Sequence, residues 1–173
     1  MENQPKSNKM KKENFMKNRK LISFIASVLF GFMTVSCDSN FVYEDNTPLG
    51  LEQWSMDSSY NFNFPINDTV SLHNMYINIR NSGSYKYQNL LLYIDFKLPN
   101  NQTIIDTVNC ILSDSKGKWL GSGWGSLWSS QIPYKMHVRF PSQGAYSIQI
   151  THAMRDEKLK AISDIGIRIE KSK

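Results

Sequence analysis

From Tyr60 onward the chain alternates apolar and polar side chains one for one in short runs. Tyr60, Phe62 and Phe64 alternate with Asn61 and Asn63, and Met75, Ile77 and Ile79 alternate with Tyr76, Asn78 and Arg80. The clearest run is Leu90 to Leu98, which puts Leu90, Leu92, Ile94, Phe96 and Leu98 on one side. Successive side chains of an extended chain point to opposite faces, so a period of two marks a half-buried strand. Pro99, Asn100 and Asn101 supply a turn, and Thr103–Val108 runs back as the second arm of a hairpin. Further strands are predicted around Met136, Val138 and Phe140, closed by Pro141; around Tyr146, Ile148 and Ile150; and around Ile165, Ile167 and Ile169. Thr151–Ile162 has poor apolar spacing and reads as a long loop with a helical turn. About eight short strands separated by Gly, Pro, Asn and Ser predict an all-β fold, a single antiparallel β-sandwich over residues 51–171. Polar residues on the second side of each strand fit sheets with one face in water.

The start of the chain follows another rule. Leu21–Thr34 is a run of 14 uncharged residues behind a basic segment. As a helix it would cover ~21 Å, short of the ~30 Å hydrocarbon core of a bilayer. A basic segment, a short apolar run and then small residues is the pattern of an export signal, here over residues 1–36. Met16 is an alternative start that leaves a signal of ordinary length. The run ends in Val35-Ser36-Cys37, which resembles the lipobox of bacterial lipoproteins, with Thr34 standing where Leu is usual. In that chemistry the thiol of Cys37 takes a diacylglycerol and the new amino terminus is acylated. Each buried methylene contributes ~0.8 kcal/mol, so several acyl chains hold a protein on a membrane where one chain does not. Residues 37–50, polar and containing Pro48 and Gly50, read as the lipidated cysteine and a tether.

Charge changes the picture only once it is divided. The whole chain carries a net charge of +5, but residues 1–36 hold seven Lys/Arg and two acids. Residues 37–173 therefore have 13 of each and no net charge, which removes the case for a nucleic-acid partner. Cys110 lies among strand formers, so packing is its predicted role, and no disulfide is expected. His73, His137 and His152 lack metal-site spacing, and His137 should face water. No nucleophile motif is present, and the glycines of residues 117–125 are not followed by the Lys-Ser/Thr of a phosphate loop. The sequence thus predicts no enzyme, metal or small-molecule cofactor.

One segment stands apart. Residues 113–128 (SDSKGKWLGSGWGSLW) place Trp119, Trp124 and Trp128 among glycines. They read either as a lid that completes the core or as a recognition patch, since Trp carries a large share of interface energy. Trp119, Trp124 and Trp128 are accordingly the candidate partner-binding residues, with Trp124 the best placed for exposure. Stacking of an envelope glycan on the same residues is the alternative.

Several segments taken in order carry a likeness to one family. These are Tyr76-Ile-Asn-Ile-Arg-Asn81, Gly117-Lys-Trp-Leu-Gly-Ser-Gly123, Val138-Arg-Phe-Pro-Ser-Gln-Gly-Ala-Tyr146, His152-Ala-Met-Arg155 and Asp164-Ile-Gly-Ile-Arg-Ile-Glu-Lys171. Behind a lipobox cysteine they resemble the gliding motility lipoprotein GldH family, from about Phe41 to Lys171. The resemblance implies a lipid-anchored protein of the cell envelope. It would be an accessory or structural component of gliding and secretion machinery, with envelope proteins as partners and no catalytic residues. The expected location is the periplasmic face of the outer membrane. Asp68-Thr69-Val70 and Asp106-Thr107-Val108 also resemble the short acceptor pattern for O-glycosylation of exported bacterial proteins.

Overall fold

The alternating runs form strands, and among the described residues every strand pair is antiparallel. The computed structural model describes residues 40–49 and 53–172; the signal segment and Cys37 lie outside them. Within the described residues the strands are β1 (Phe41–Pro48), β2 (Trp54–Ser55), β3 (Tyr60–Ile66), β4 (His73–Ser82), β5 (Asn89–Lys97) and β6 (Thr103–Ile111). They continue as β7 (Ser122–Trp124), β8 (Leu127–Val138), β9 (Gly144–His152), β10 (Lys158–Leu159) and β11 (Ile162–Lys171). A five-stranded sheet runs β1-β11-β4-β8-β7 and a four-stranded sheet runs β3-β9-β5-β6. Set aside the short β2, β7 and β10, and the eight long strands give the predicted sandwich. Their order, first-eighth-third-sixth against second-seventh-fourth-fifth, is that of a jelly roll.

The alternation sorts the two faces. Met75, Ile77 and Ile79 of β4 and Ile165, Ile167 and Ile169 of β11 point inward and are buried. They meet Phe62, Phe64, Leu92, Ile94, Ile148 and Ile150 from the other sheet. One end of the core is aromatic: Phe140 lies 5.0 Å from Tyr146 and 6.4 Å from Phe64 between ring centroids. Burying such apolar surface supplies ~25 cal/mol per Å², which needs no disulfide or metal to close a domain of this size.

Three expectations are corrected. Residues 41–48 are not tether but strand β1, which pairs with β11 from Phe41↔Glu170 to Pro48↔Asp164. Its pattern is mostly exposed, as befits an edge strand, so pairing rather than period two defines it. Residues 151–162 hold no helical turn: after β9, Leu159 in β10 pairs with Trp54 in β2. Trp54 is buried, donates its indole N–H to the Ser58 carbonyl at 3.0 Å, and meets His152 edge-on. That contact joins residues about a hundred positions apart, which local spacing does not register. Finally, β8 begins at Leu127, and register shifts against β4, with His137 at φ 55°, interrupt its alternation. Met136 therefore faces water while Val138 packs on the core, and Phe140 is buried just past the strand.

Candidate functional site

The polar side of the five-stranded sheet is not featureless. Register sets Asn46, Gly166, Asn78 and Gln131 in one row across β1, β11, β4 and β8. The neighbouring row is Asp164, Arg80, Ser129 and Ser122, which reaches β7. On the other flank stand Glu44, Arg168 and Tyr76. From these rows Glu44, Asn46, Asn78, Arg80, Ser122, Ser129, Gln131 and Asp164, with Ile79 and Ser130, line a groove of about 320 Å³, within the range of small-ligand sites.

Gly166 is what lets the middle row form. A Cβ there would collide with Asn46 Oδ1 and with the Asp45 backbone carbonyl, and would lie 2.8 Å from Asn46 Cγ. The bare backbone instead allows the Asn46 side chain to lie across β11 and reach β4. A glycine inside a strand commonly marks such a close approach. Asn78 Nδ2 donates to Asn46 Oδ1 at 3.0 Å and to Glu44 Oε1 at 2.9 Å. Gln131 Nε2 donates in turn to Asn78 Oδ1 at 3.4 Å. The floor is a relay of amides held in place before any ligand arrives.

Its charges are already engaged in ion pairs. Arg168 donates to Glu44 at 2.8 Å and to Glu170 at 3.2 Å, and Arg80 pairs with Asp164 at 3.5 Å. Arg80 Nε also donates to Ser129 Oγ at 3.3 Å. Burial disfavours the Arg168 charge, but the carboxylates of Glu44 and Glu170 more than offset it and raise its pKa further. Tyr76 is pushed up by burial and by Glu170, to which it donates at 3.2 Å, so it stays protonated.

The three tryptophans divide. Trp119 and Trp128 lie 5.9 Å apart, half-buried, and Trp119 also faces Tyr85 at 6.4 Å. These two rings are occupied with each other. Trp124 is 95% exposed. It sits at the tip of the β7–β8 hairpin, a two-residue turn whose Gly125 takes φ 67°, as primed hairpin turns require. Two residues beyond Ser122 on the same strand, it shares the groove's face.

The other sequence candidates fall elsewhere. Cys37 lies outside the described residues. Cys110 is buried in the core, and burial pushes its thiol up to about 12, so it is not a nucleophile at neutral pH. His73 and His152 are buried and His137 is exposed. Burial lowers the pKa of both buried rings. His152 Nε2 meets the Trp54 carbonyl at 3.0 Å, which requires it to be the protonated nitrogen. Among the described residues no three His, Cys, Asp or Glu side chains are grouped to hold a metal. Of the two Asp-Thr-Val tripeptides, one forms a turn in which Asp68 accepts from Val70 N, Ser71 N and Lys171, and the other lies in β6.

A family model described as GldH lipoprotein matches residues 41–169, from the first residue of β1 well into β11. Over 144 residues the chain is 36% identical to a protein of Christiangramia forsetii named gliding motility lipoprotein GldH homolog, covering 79% of this chain and 88% of that one. Over 162 residues it is 30% identical to gliding motility lipoprotein GldH of Flavobacterium johnsoniae, covering 90% and 97%. Among solved structures, dimeric latent PorU of Porphyromonas gingivalis overlaps 80% of this chain at 10% identity and a TM-score of 0.28. The chain spans 14% of that PorU chain, and so slight an overlap bears on nothing further.

Proposed function

Because the chain belongs to the GldH lipoprotein family, we propose that it is a lipid-anchored, non-enzymatic component of the gliding and secretion machinery of the cell envelope. The observation that carries this reading is the position of Cys37. It directly follows an export-type signal and stands four residues ahead of the first residue matched by the family. Processing there leaves Cys37 as the acylated amino terminus, and only Asp38, Ser39 and Asn40 separate it from β1. The four steps from Cys37 to Phe41 reach at most ~14 Å, so the sandwich is held close to the membrane surface.

Work by contact rather than catalysis fits the titratable groups. Cys110 is sealed in the core and held protonated, and the two buried histidines are kept neutral. The periplasmic face of the outer membrane is the location we assign, with envelope proteins of the machinery as partners. Fractionation of cells expressing Cys37→Ala tests the anchor. The variant should leave the membrane fraction, or accumulate unprocessed, while keeping its fold. A processed variant that still sediments with membranes would overturn the reading.

A further inference from the structure

We propose that the groove on the five-stranded sheet, with Trp124 at its rim, binds an uncharged saccharide chain. Three observations converge on that ligand class. The first is the balance of charge. Glu44 is paired with Arg168, and Asp164 with Arg80. Each charged side chain that lines the groove thus already has an ion-pair partner, and the one excess carboxylate, Glu170, shares Arg168 outside the lining. What remains on offer is amide and hydroxyl: Asn46, Asn78, Gln131, Ser122 and Ser129. Carboxamides both donate and accept, as sugar hydroxyls do: Asn78 has spent both N–H donors within the row but its carbonyl can accept once more, while Asn46 and Gln131 each keep an N–H to give.

The second observation is the shape of the floor. Its middle is the face of β4, flanked by β8 and β11, and β4 and β11 are each paired on both sides. A peptide cannot add as a strand over β4 and β11, because the free backbone edges belong to the outer strands β1 and β7. The groove's amides are locked to one another, which lowers the ordering cost of binding.

The third is the aromatic ring. Trp124 is 95% exposed, an unfavourable setting for so large an apolar surface unless something covers it. Leu127, its cross-strand partner, is 42% exposed beside it. The C–H-rich face of a pyranose ring lies flat on the electron-rich face of an indole, while its rim of hydroxyls stays free for the amides. A sugar stacked on Trp124 would thus extend along β7 towards Ser122, Ser129 and the Asn78 row. Trp124 also lies at the end of β4 and β8 opposite Asn40, which accepts from Lys171 N at the other end of the sheet. The ten residues of β4 span ~30 Å, so the rim points away from the anchored end.

The test is a titration of the full chain, purified in a detergent without a sugar headgroup. The probes are hexasaccharides of β-1,4-glucose, β-1,4-N-acetylglucosamine and α-1,6-mannose, followed by tryptophan fluorescence and calorimetry. At least one should bind saturably, and its affinity should change less than twofold between 50 and 500 mM NaCl, since no net charge is neutralised. Trp124→Ala and Asn78→Ala should each weaken binding at least fivefold. Trp124→Ala should do so with an unchanged melting temperature, because its ring packs on nothing in the domain. Three results would overturn the proposal: no binding by any probe, undiminished binding by Trp124→Ala, or a steep loss of affinity with salt. If the probes fail while Trp124→Ala abolishes crosslinking to an envelope protein, the rim is a protein contact instead.

Discussion

Replacing Gly166 by alanine is the sharpest perturbation of the architecture beneath the groove. The added methyl would overlap Asn46 Oδ1 and the Asp45 carbonyl, and would sit 2.8 Å from Asn46 Cγ. Non-bonded carbons rest at ~3.5–4.0 Å, so relief requires β1 to withdraw from β11 by about 1 Å. The side chain of Asn46 can rotate, but the Asp45 carbonyl is backbone and carries the strand with it. Overpacking of this kind costs ~1–3 kcal/mol. One or two weakened ladder hydrogen bonds add ~0.5–1.5 kcal/mol each. The sum is roughly 2–4 kcal/mol, and at about 3 °C per kcal/mol for a domain of this size the melting temperature should fall by ~6–12 °C. Circular dichroism of the purified protein reads the shift. Asn46→Ala/Gly166→Ala should recover about 1 kcal/mol relative to the sum of the single variants, because two of the three clashes involve the Asn46 side chain. A shift under about 2 °C, or strict additivity, would mean that β1 does not cross position 166 as described.

Thiol labelling offers a second check. The native protein should be inert to maleimide, because Cys110 is buried with its thiol pushed up to about 12, whereas in urea one thiol per chain should react. Two reactive thiols in urea would show Cys37 unmodified. Stability should also depend on pH in a defined direction. Burial holds His73 and His152 below the ordinary histidine pKa of ~6.5, so the unfolded chain takes up protons first. Their contribution is complete above about pH 6.5 and is lost as pH falls below it; the urea midpoint should be lower at pH 5.5 than at pH 7.5, and an equal or higher midpoint would refute it. Asp68 and Asp106 act in a lower window. Lys171 first, then the Ser71 and Val70 groups, hold the Asp68 carboxyl down. Desolvation raises Asp106, but bonds from Lys135 and Tyr134 more than offset it. Their share of stability persists until the pH falls below the usual carboxylate value of ~3.9.

The strands that frame the core were legible because each carries its own signal. Leu90–Leu98 and Tyr146–Ile150 alternate cleanly, and both faces of the resulting sheet could be assigned from one run of residues. Strand β1 was not legible, since Phe41–Pro48 buries little and owes its conformation to β11, over a hundred residues away. The same holds for β2 and β10, two residues each, whose pairing rests on Trp54 and Leu159. For the groove, Asn78 and Arg80 were readable as the wet side of a strand. Their alignment with Asn46, Gly166 and Gln131 depends on the registers of three separate strand pairs, which no local pattern encodes. Gly166 was the available hint, a glycine amid Asp164-Ile165 and Ile167-Arg168 in a strand otherwise rich in β-branched residues. Trp124 could be singled out by its glycine neighbours, whereas the contact between Trp119 and Trp128 depends on the hairpin geometry.

Membrane attachment through Cys37 underlies the whole account, and intact mass spectrometry of the protein extracted from its native membrane measures it directly. The account predicts a polypeptide beginning at Cys37 and heavier than its sequence by a diacylglyceryl and an amide-linked acyl group. A chain that starts elsewhere, or starts at Cys37 with its bare sequence mass, would contradict it.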